Sequence, residues 1–195
     1  QRYALKWTAH QAESLNFNLH DVMLAQNVDQ ALALAPSCGL PPQNLAVVDR
    51  QGNVAWTIIG KIPRREGYSG RFPVSWAMPG IGWTGWLPAE ETPVVMNPAH
   101  HRVWTANARV VSGENLTKLG DGGYDLGARA KQIKTRLFEK EGFTEKDFLA
   151  IQLDVEAQFL STWKELFEES LKRSGVSPKA EKARSLLAQW EGYAA

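Results

Sequence analysis

A chain of 195 residues is long enough to bury a substantial core and suits one domain, or one and a half. With 22 basic against 21 acidic residues and no Lys/Arg block, it offers no electrostatic footprint for a nucleic-acid partner. No apolar run approaches the roughly 18 residues that span a bilayer, so no part of it is expected to insert in a membrane; Cys38 stands alone, which excludes an intramolecular disulfide and any Cys-x-x-Cys metal site.

The chain begins at Gln1 with neither an initiator Met nor a signal peptide, and is therefore expected to be a processed protein or a piece of a longer one. Tyr3 to Thr8 alternates weakly and predicts a short strand. Glu13 to Gln26, with Leu15, Leu19, Val22 and Met23 at helical spacing, predicts a helix. Asn27 with Gln30 three residues on reads as a capping box for a second short helix, Val28 to Ala35, closed by Pro36 and Gly39. Leu45 to Val48 and Val54 to Ile59, joined by Asp49-Arg50-Gln51-Gly52-Asn53, form the clearest hairpin. Both strands are apolar at nearly every position, so protein is expected to cover both faces.

Residues 60–98 dissolve into Gly, Pro and Trp. So long a loop is uncommon unless it has a job; wrapping the rim of a sheet is the commoner account, covering a binding cleft the alternative. Eight Trp residues are many for this length, and most lie between Trp56 and Trp104. Core packing is their ordinary use, and a ligand-facing platform the other. After the Asn97-Pro98 turn signal, Arg102-Val103-Trp104-Thr105 reads as a strand that runs into Ala106-Asn107-Ala108. An Asn at a strand end is by default a turn or cap residue. The sharper reading is an oxyanion donor, because a side-chain N–H on a rigid element can meet the negative oxygen formed when an amide carbonyl is attacked.

Ser112 to Tyr124 reads as a polar, Gly-rich loop, and from Leu126 the chain is helical: Ala128 to Lys140, then Thr144 capping a helix to about Leu153, Asp154 capping a long amphipathic one through Leu171, and Pro178 opening a fourth that ends near Trp190. The fold class is α+β, with residues 1–125 as the sheet-forming part and 126–195 as the helical part. The His residues, His10, His20, His100 and His101, form no helical pair with a carboxylate, so no metal site is expected. No Gly-x-Ser-x-Gly elbow occurs, which argues against a self-contained serine hydrolase. Arg129 opens a helix, where the dipole disfavours a cation; it is either a solvated Arg or a contact for an anion or substrate.

Taken in order, Leu5-Lys6-Trp7, Asn44 to Val54, Gly60-Lys61-Ile62-Pro63-Arg64-Arg65, Trp83-Thr84-Gly85-Trp86-Leu87-Pro88, Asn97-Pro98, Thr105-Ala106-Asn107, Arg129, Phe143 to Asp147 and Ile151 to Val155 resemble the β-subunit of the penicillin amidase family. The resemblance covers nearly the whole chain. It implies part of a four-layer αββα N-terminal-nucleophile hydrolase core, made from a precursor that cuts itself to expose a catalytic Ser whose own α-amino group acts as base. It implies an amidohydrolase that releases a carboxylic acid, with Asn107 completing the oxyanion hole and Arg129 organising the same site. The nucleophile lies outside this segment, since Gln1 is not one. The family's calcium site draws partly on the loop before the Arg helix, where Lys118, Asp121 and Asp125 give no clear match; no cofactor is expected from this segment, and calcium would be a matter for the parent protein. Implied partners are the α-subunit and the N-terminal part of the β-subunit, with a small-molecule amide as substrate, a place in antibiotic biosynthetic processes and a periplasmic or secreted location. Alone, the segment is expected to be inactive and to self-associate through apolar surface meant for its parent. The rival is a stand-alone Trp-rich binding module in which Trp76, Trp83 and Trp86 lie exposed and coplanar.

Overall fold

The β-branched, apolar run Val54–Ile59 forms the middle strand of an antiparallel sheet, and the first part of the chain is arranged on its two faces. The computed structural model describes residues 2–121 and 123–193, so the reading of Gln1 lies outside the described residues. The chain divides into two units, one ending at Ala130 and the other beginning at Lys131.

In the first unit, α1 (Leu19–Met23) and α2 (Val28–Leu34) precede β1 (Gln43–Val48) and β2 (Val54–Ile59). The helix predicted over Glu13 to Gln26 shrinks to α1. The Ser14 hydroxyl is taken by the carbonyls of Thr8 and Gln11, and Asn16 accepts the N–H of Asn18 at 2.9 Å, so side-chain bonds to nearby backbone compete with the helical ladder. Tyr3 to Thr8 forms no strand, and a short 3-10 turn starts at Thr8. Asn27 caps α2 as predicted, accepting the Gln30 N–H at 2.9 Å.

β1 and β2 pair with Ala46 opposite Trp56, and the turn between them is organised by Asp49. Its carboxylate accepts the N–H groups of Gln51 and Asn53, each at 3.0 Å, and the N–H of Val28 at 3.2 Å, which ties the start of α2 to the hairpin. Cover on both faces holds for β2: Ile59 packs with Ala35 and Cys38 on one side, Trp56 and Ile58 with Ile62 on the other. It fails for β1, an edge strand whose Val48 is 74% exposed.

The stretch read as one long loop contains three strands. β3 (Pro63–Glu66) and β4 (Gly82–Trp86) make a two-stranded sheet, and β5 (Val94–Met96) pairs with the free edge of β2, giving the order β1-β2-β5. Short strands flanked by Gly and Pro lose their periodic signal, which is why composition hid them. Gly60 is required where β2 ends: its φ is 103°, and a Cβ there would stand 2.5 Å from the Leu40 carbonyl oxygen. Arg102–Thr105, read as a strand, lies outside any strand. The Arg102 N–H goes to His100 Nδ1 at 3.2 Å and its guanidinium to the His100 carbonyl at 2.9 Å, so local contacts take the groups a ladder would use. The loop read over Ser112 to Tyr124 contains α3 (Gly113–Leu119).

α4 (Ala128–Leu137) leads into the second unit, which holds α5 (Glu145–Gln152), α6 (Gln158–Arg173) and α7 (Pro178–Gln189). Asp154 does not cap α6, which begins after Ala157; its carboxylate accepts from Arg136 at 2.8 Å and from the Glu156 N–H at 3.0 Å. Ser177 caps α7 by accepting the Ala180 N–H at 3.2 Å.

At the start of α5 the Asp147 carboxylate accepts the Thr144 N–H at 2.7 Å and its hydroxyl at 2.8 Å. The Lys140 ammonium first, then these Thr144 donors, hold the Asp147 carboxyl down at about 2. A carboxyl depressed in the folded state contributes stability that is present above its unfolded value of about 4 and is lost as pH falls through the folded value. Urea midpoints should therefore favour the natural protein over Asp147→Asn above about pH 4 and converge as the folded carboxyl protonates. A constant gap down to the acid end would remove Asp147 as the group responsible.

Candidate active site

Asn107 sits at φ 54°, in the left-handed region that Asn tolerates better than other side-chain-bearing residues. The turn is pinned by its own carbonyl, which accepts the Asp125 N–H at 3.0 Å. Arg129, in the first turn of α4, then donates from Nη2 to Asn107 Oδ1 at 2.8 Å and to Asp125 Oδ2 at 2.7 Å. Two side chains 22 positions apart, each singled out in the sequence, thus meet directly. The Arg129 and Asp125 side chains are 61% and 58% exposed, so their ion pair contributes little stability, of order 0–1 kcal/mol. Its consequence is orientational. A guanidinium only donates, so the oxygen of the Asn107 amide must face it, and the Nδ2 donor is left on the other side with no partner among the described residues.

Asn107 lines a cavity of about 580 Å³, within the range of small-molecule sites. Trp56 and Ile58 of β2 and Asn44 of β1 contribute to its wall, and the Asn44 oxygen accepts the Trp56 indole N–H at 2.9 Å. Tyr124 and Arg65 line it too. Burial pushes the Tyr124 phenol up, reinforced by Asp121, and burial pushes the Arg65 guanidinium down. A second cavity of about 220 Å³ shares Trp56, Ala108 and Val110 with the first and includes His100 and Trp104, whose rings lie 5.5 Å apart.

Burial raises the Asp121 carboxyl, but the hydrogen bond and charge of Arg109 override it and hold the group below its usual range. With Asp121 committed to Arg109 and Asp125 to Arg129, and no group of three or more His, Cys, Asp and Glu among the described residues, the residues present do not fit a calcium ion.

Trp76 and Trp83 meet at 66° with ring centroids 5.9 Å apart, edge to face rather than coplanar. The Trp83 N–H donates to the Tyr68 hydroxyl at 2.8 Å, and Lys6 Nζ lies 4.4 Å and 4.8 Å from the Trp76 and Trp83 rings. Sequence reasoning missed the part Asp125 plays with Arg129, although their i, i+4 spacing was a readable signal. It also gave Lys6 and Arg65 no role in the cavity.

A family model described as penicillin amidase matches residues 1–195. The penicillin acylase 2 proenzyme of Pseudomonas sp. (strain SE83) is 30% identical over 170 residues, which are 86% of this chain and 21% of that protein. The thermostable penicillin G acylase of Alcaligenes faecalis superposes with a TM-score of 0.63 over 90% of this chain and 32% of that one, at 17% identity, a likeness of fold. The chain spans well under half the length of either relative. A mixed α/β fold of small sheets and several helices like that of a penicillin acylase, together with a family match along its whole length, means that the chain belongs to the penicillin amidase family.

Proposed function

We propose that this chain is an internal part of the β-subunit of an acylase that hydrolyses a small-molecule amide to a carboxylic acid and an amine. One observation carries the reading: Arg129 takes the oxygen of the Asn107 amide at 2.8 Å, so its N–H donor is free to act in the cavity that Asn107 lines. A Ser outside this chain attacks the amide carbonyl, its own α-amino group accepting the proton. As the carbonyl oxygen becomes negative, Asn107 Nδ2 donates to it, and the fixed orientation means no reorganisation is needed at that moment. Collapse of the tetrahedral intermediate expels the amine, and water releases the acid. Arg129 is a positioning residue, acting through Asn107 and not on the substrate.

In the whole protein β1, β2 and β5 belong to one inner sheet of a four-layer αββα core, and the exposed edge of β1 meets the α-subunit or the N-terminal part of the β-subunit. Separated from them, the chain self-associates through that edge. A periplasmic or secreted location accompanies this reading.

The test is hydrolysis of a chromogenic acyl anilide by the whole protein that carries this chain and by the chain alone. The whole protein turns over and the chain alone does not, because a tetrahedral intermediate needs a nucleophile. Turnover by the chain alone, abolished by Asn107→Ala, would show that the nucleophile lies within it and overturn the assignment.

A further inference from the structure

Arg129 stands where a helix least favours it, in a first turn of α4 that contains no acid of its own. The acid that answers it lies ahead of the helix: Asp125 accepts from Arg129 Nη2 at 2.7 Å. The pair is too exposed to add much to the stability of the fold. Its geometry is what stands out. Each Nη of a guanidinium carries two hydrogens in the plane of the group, and Nη2 of Arg129 spends one on Asp125 Oδ2 and the other on Asn107 Oδ1 at 2.8 Å. The bond to the carboxylate is charge-assisted and the stronger of the two, so Asp125 is the anchor and the Asn107 amide is what the anchored group holds.

Asp125 also reaches Asn107 along the main chain. Its N–H donates to the Asn107 carbonyl at 3.0 Å, which closes a ring: backbone to backbone between Asn107 and Asp125, then side chain to side chain from Asp125 to Arg129 and from Arg129 to Asn107. Gly127, at φ 85°, turns the chain from Asp125 into α4 and brings Arg129 round to close it.

The ring matters because an Asn side chain has two ends of nearly the same shape and opposite polarity. With Arg129 anchored, the oxygen faces the guanidinium and the donor faces away from it. With Arg129 swung into solvent, nothing selects the orientation, and an amide turned the other way presents an oxygen that repels a developing oxyanion.

We propose that Asp125 is a positioning residue for amide hydrolysis, acting through Arg129 to keep Asn107 Nδ2 turned toward the reacting carbonyl. The inference rests on the acylase reading above.

The experiment compares Asp125→Ala and Asp125→Asn with the natural enzyme, each as the whole processed acylase, and reads kcat, KM and the urea midpoint with an acyl 4-nitroanilide as substrate. Asp125→Ala is expected to lower kcat roughly 5- to 20-fold with KM and the midpoint nearly unchanged, less than the loss in Asn107→Ala because the donor is present but unheld. Asp125→Asn keeps an oxygen that accepts from Nη2 and recovers most of kcat. In an Asn107→Ala background, Asp125→Ala brings no further loss, since no amide is left to orient. A lower midpoint with unchanged kcat per folded molecule makes Asp125 a helix-end charge and overturns the proposal. So do losses that multiply across the two variants, or a rise in KM at constant kcat. Should Asp125→Ala fail to fold or to process, Asp125→Ser takes its place under the same criteria, because its hydroxyl stops one bond short of the carboxylate oxygens. If the natural enzyme hydrolyses no amide, or Asn107→Ala keeps its kcat, the acylase reading or its oxyanion step fails by itself. A crystal structure of Asp125→Ala then tests the positioning alone: Arg129 displaced from Asn107 is expected, and an unchanged contact between Nη2 and Oδ1 overturns it.

Discussion

Replacing Asn107 by Ala in the whole processed acylase should lower kcat roughly 10²- to 10³-fold, about 3–4 kcal/mol, and leave KM nearly unchanged. The effect falls on kcat because the donor meets charge that exists only after the carbonyl has been attacked; a ground-state contact would appear in KM. The competing account makes Asn107 a turn residue, and its φ of 54° gives that account a real basis. On that account Ala costs about 1–2 kcal/mol of stability for entering the left-handed region, and kcat in the folded fraction stays normal. Both quantities are therefore measured, activity per folded molecule and the denaturation midpoint. Self-cleavage is checked first, because unprocessed precursor would imitate lost catalysis. Arg129→Met supplies a second reading: it removes the partner at 2.8 Å without removing the donor, so a partial loss of kcat is expected. Folded, processed Asn107→Ala enzyme with unchanged kcat would sink the oxyanion assignment.

What could be read in the sequence follows a physical division. Signals that act within one turn were legible: Asn27 before α2, Pro178 in the first turn of α7, and the Asp49–Asn53 turn between β1 and β2 all act on residues a few positions away. Signals settled by a distant partner were not. Asp154 looked like a cap, but Arg136 takes its carboxylate; Arg102–Thr105 had strand composition, but composition does not supply a neighbouring strand. β3 and β4 are short and lie among Gly and Pro, so their pairing is visible only in the register that sets Pro63 against Trp86. At the candidate site the resemblance pointed to Asn107 and Arg129, and the geometry adds how they are joined. The charge of the cavity was invisible, because Lys6, Arg65 and Tyr124 converge from three well-separated segments of the chain that share no periodicity.

The wall of that cavity leads to the other large expected effect. Trp56→Ala should destabilise the protein by about 3–5 kcal/mol, a large part of the roughly 5–15 kcal/mol that holds a typical domain folded. Trp56 is 1% exposed in the middle of β2, packs with Ile58 and Ile62 and with the half-buried Leu87 and Val95, and lines both the 580 Å³ and the 220 Å³ cavities. Its indole is thus a partition as well as a core side chain. Removing it leaves a void that the sheet cannot close, because β2 is held on both edges by β1 and β5. The substitution also strands Asn44, whose oxygen loses the indole N–H at 2.9 Å. Trp56→Phe separates the two contributions: most of the ring remains, the hydrogen bond goes, and a loss of about 1–2 kcal/mol is expected. Urea midpoints at constant slope give the comparison, since an unchanged slope means the same surface is exposed on unfolding. An Ala variant within about 1 kcal/mol of the natural protein would mean that the site relaxes around the missing ring, a cost far below that of a rigid core position. The cavity beside Asn107 would then have a soft wall, and a soft wall could not hold Asn44 and the substrate in the register that catalysis by a fixed donor requires.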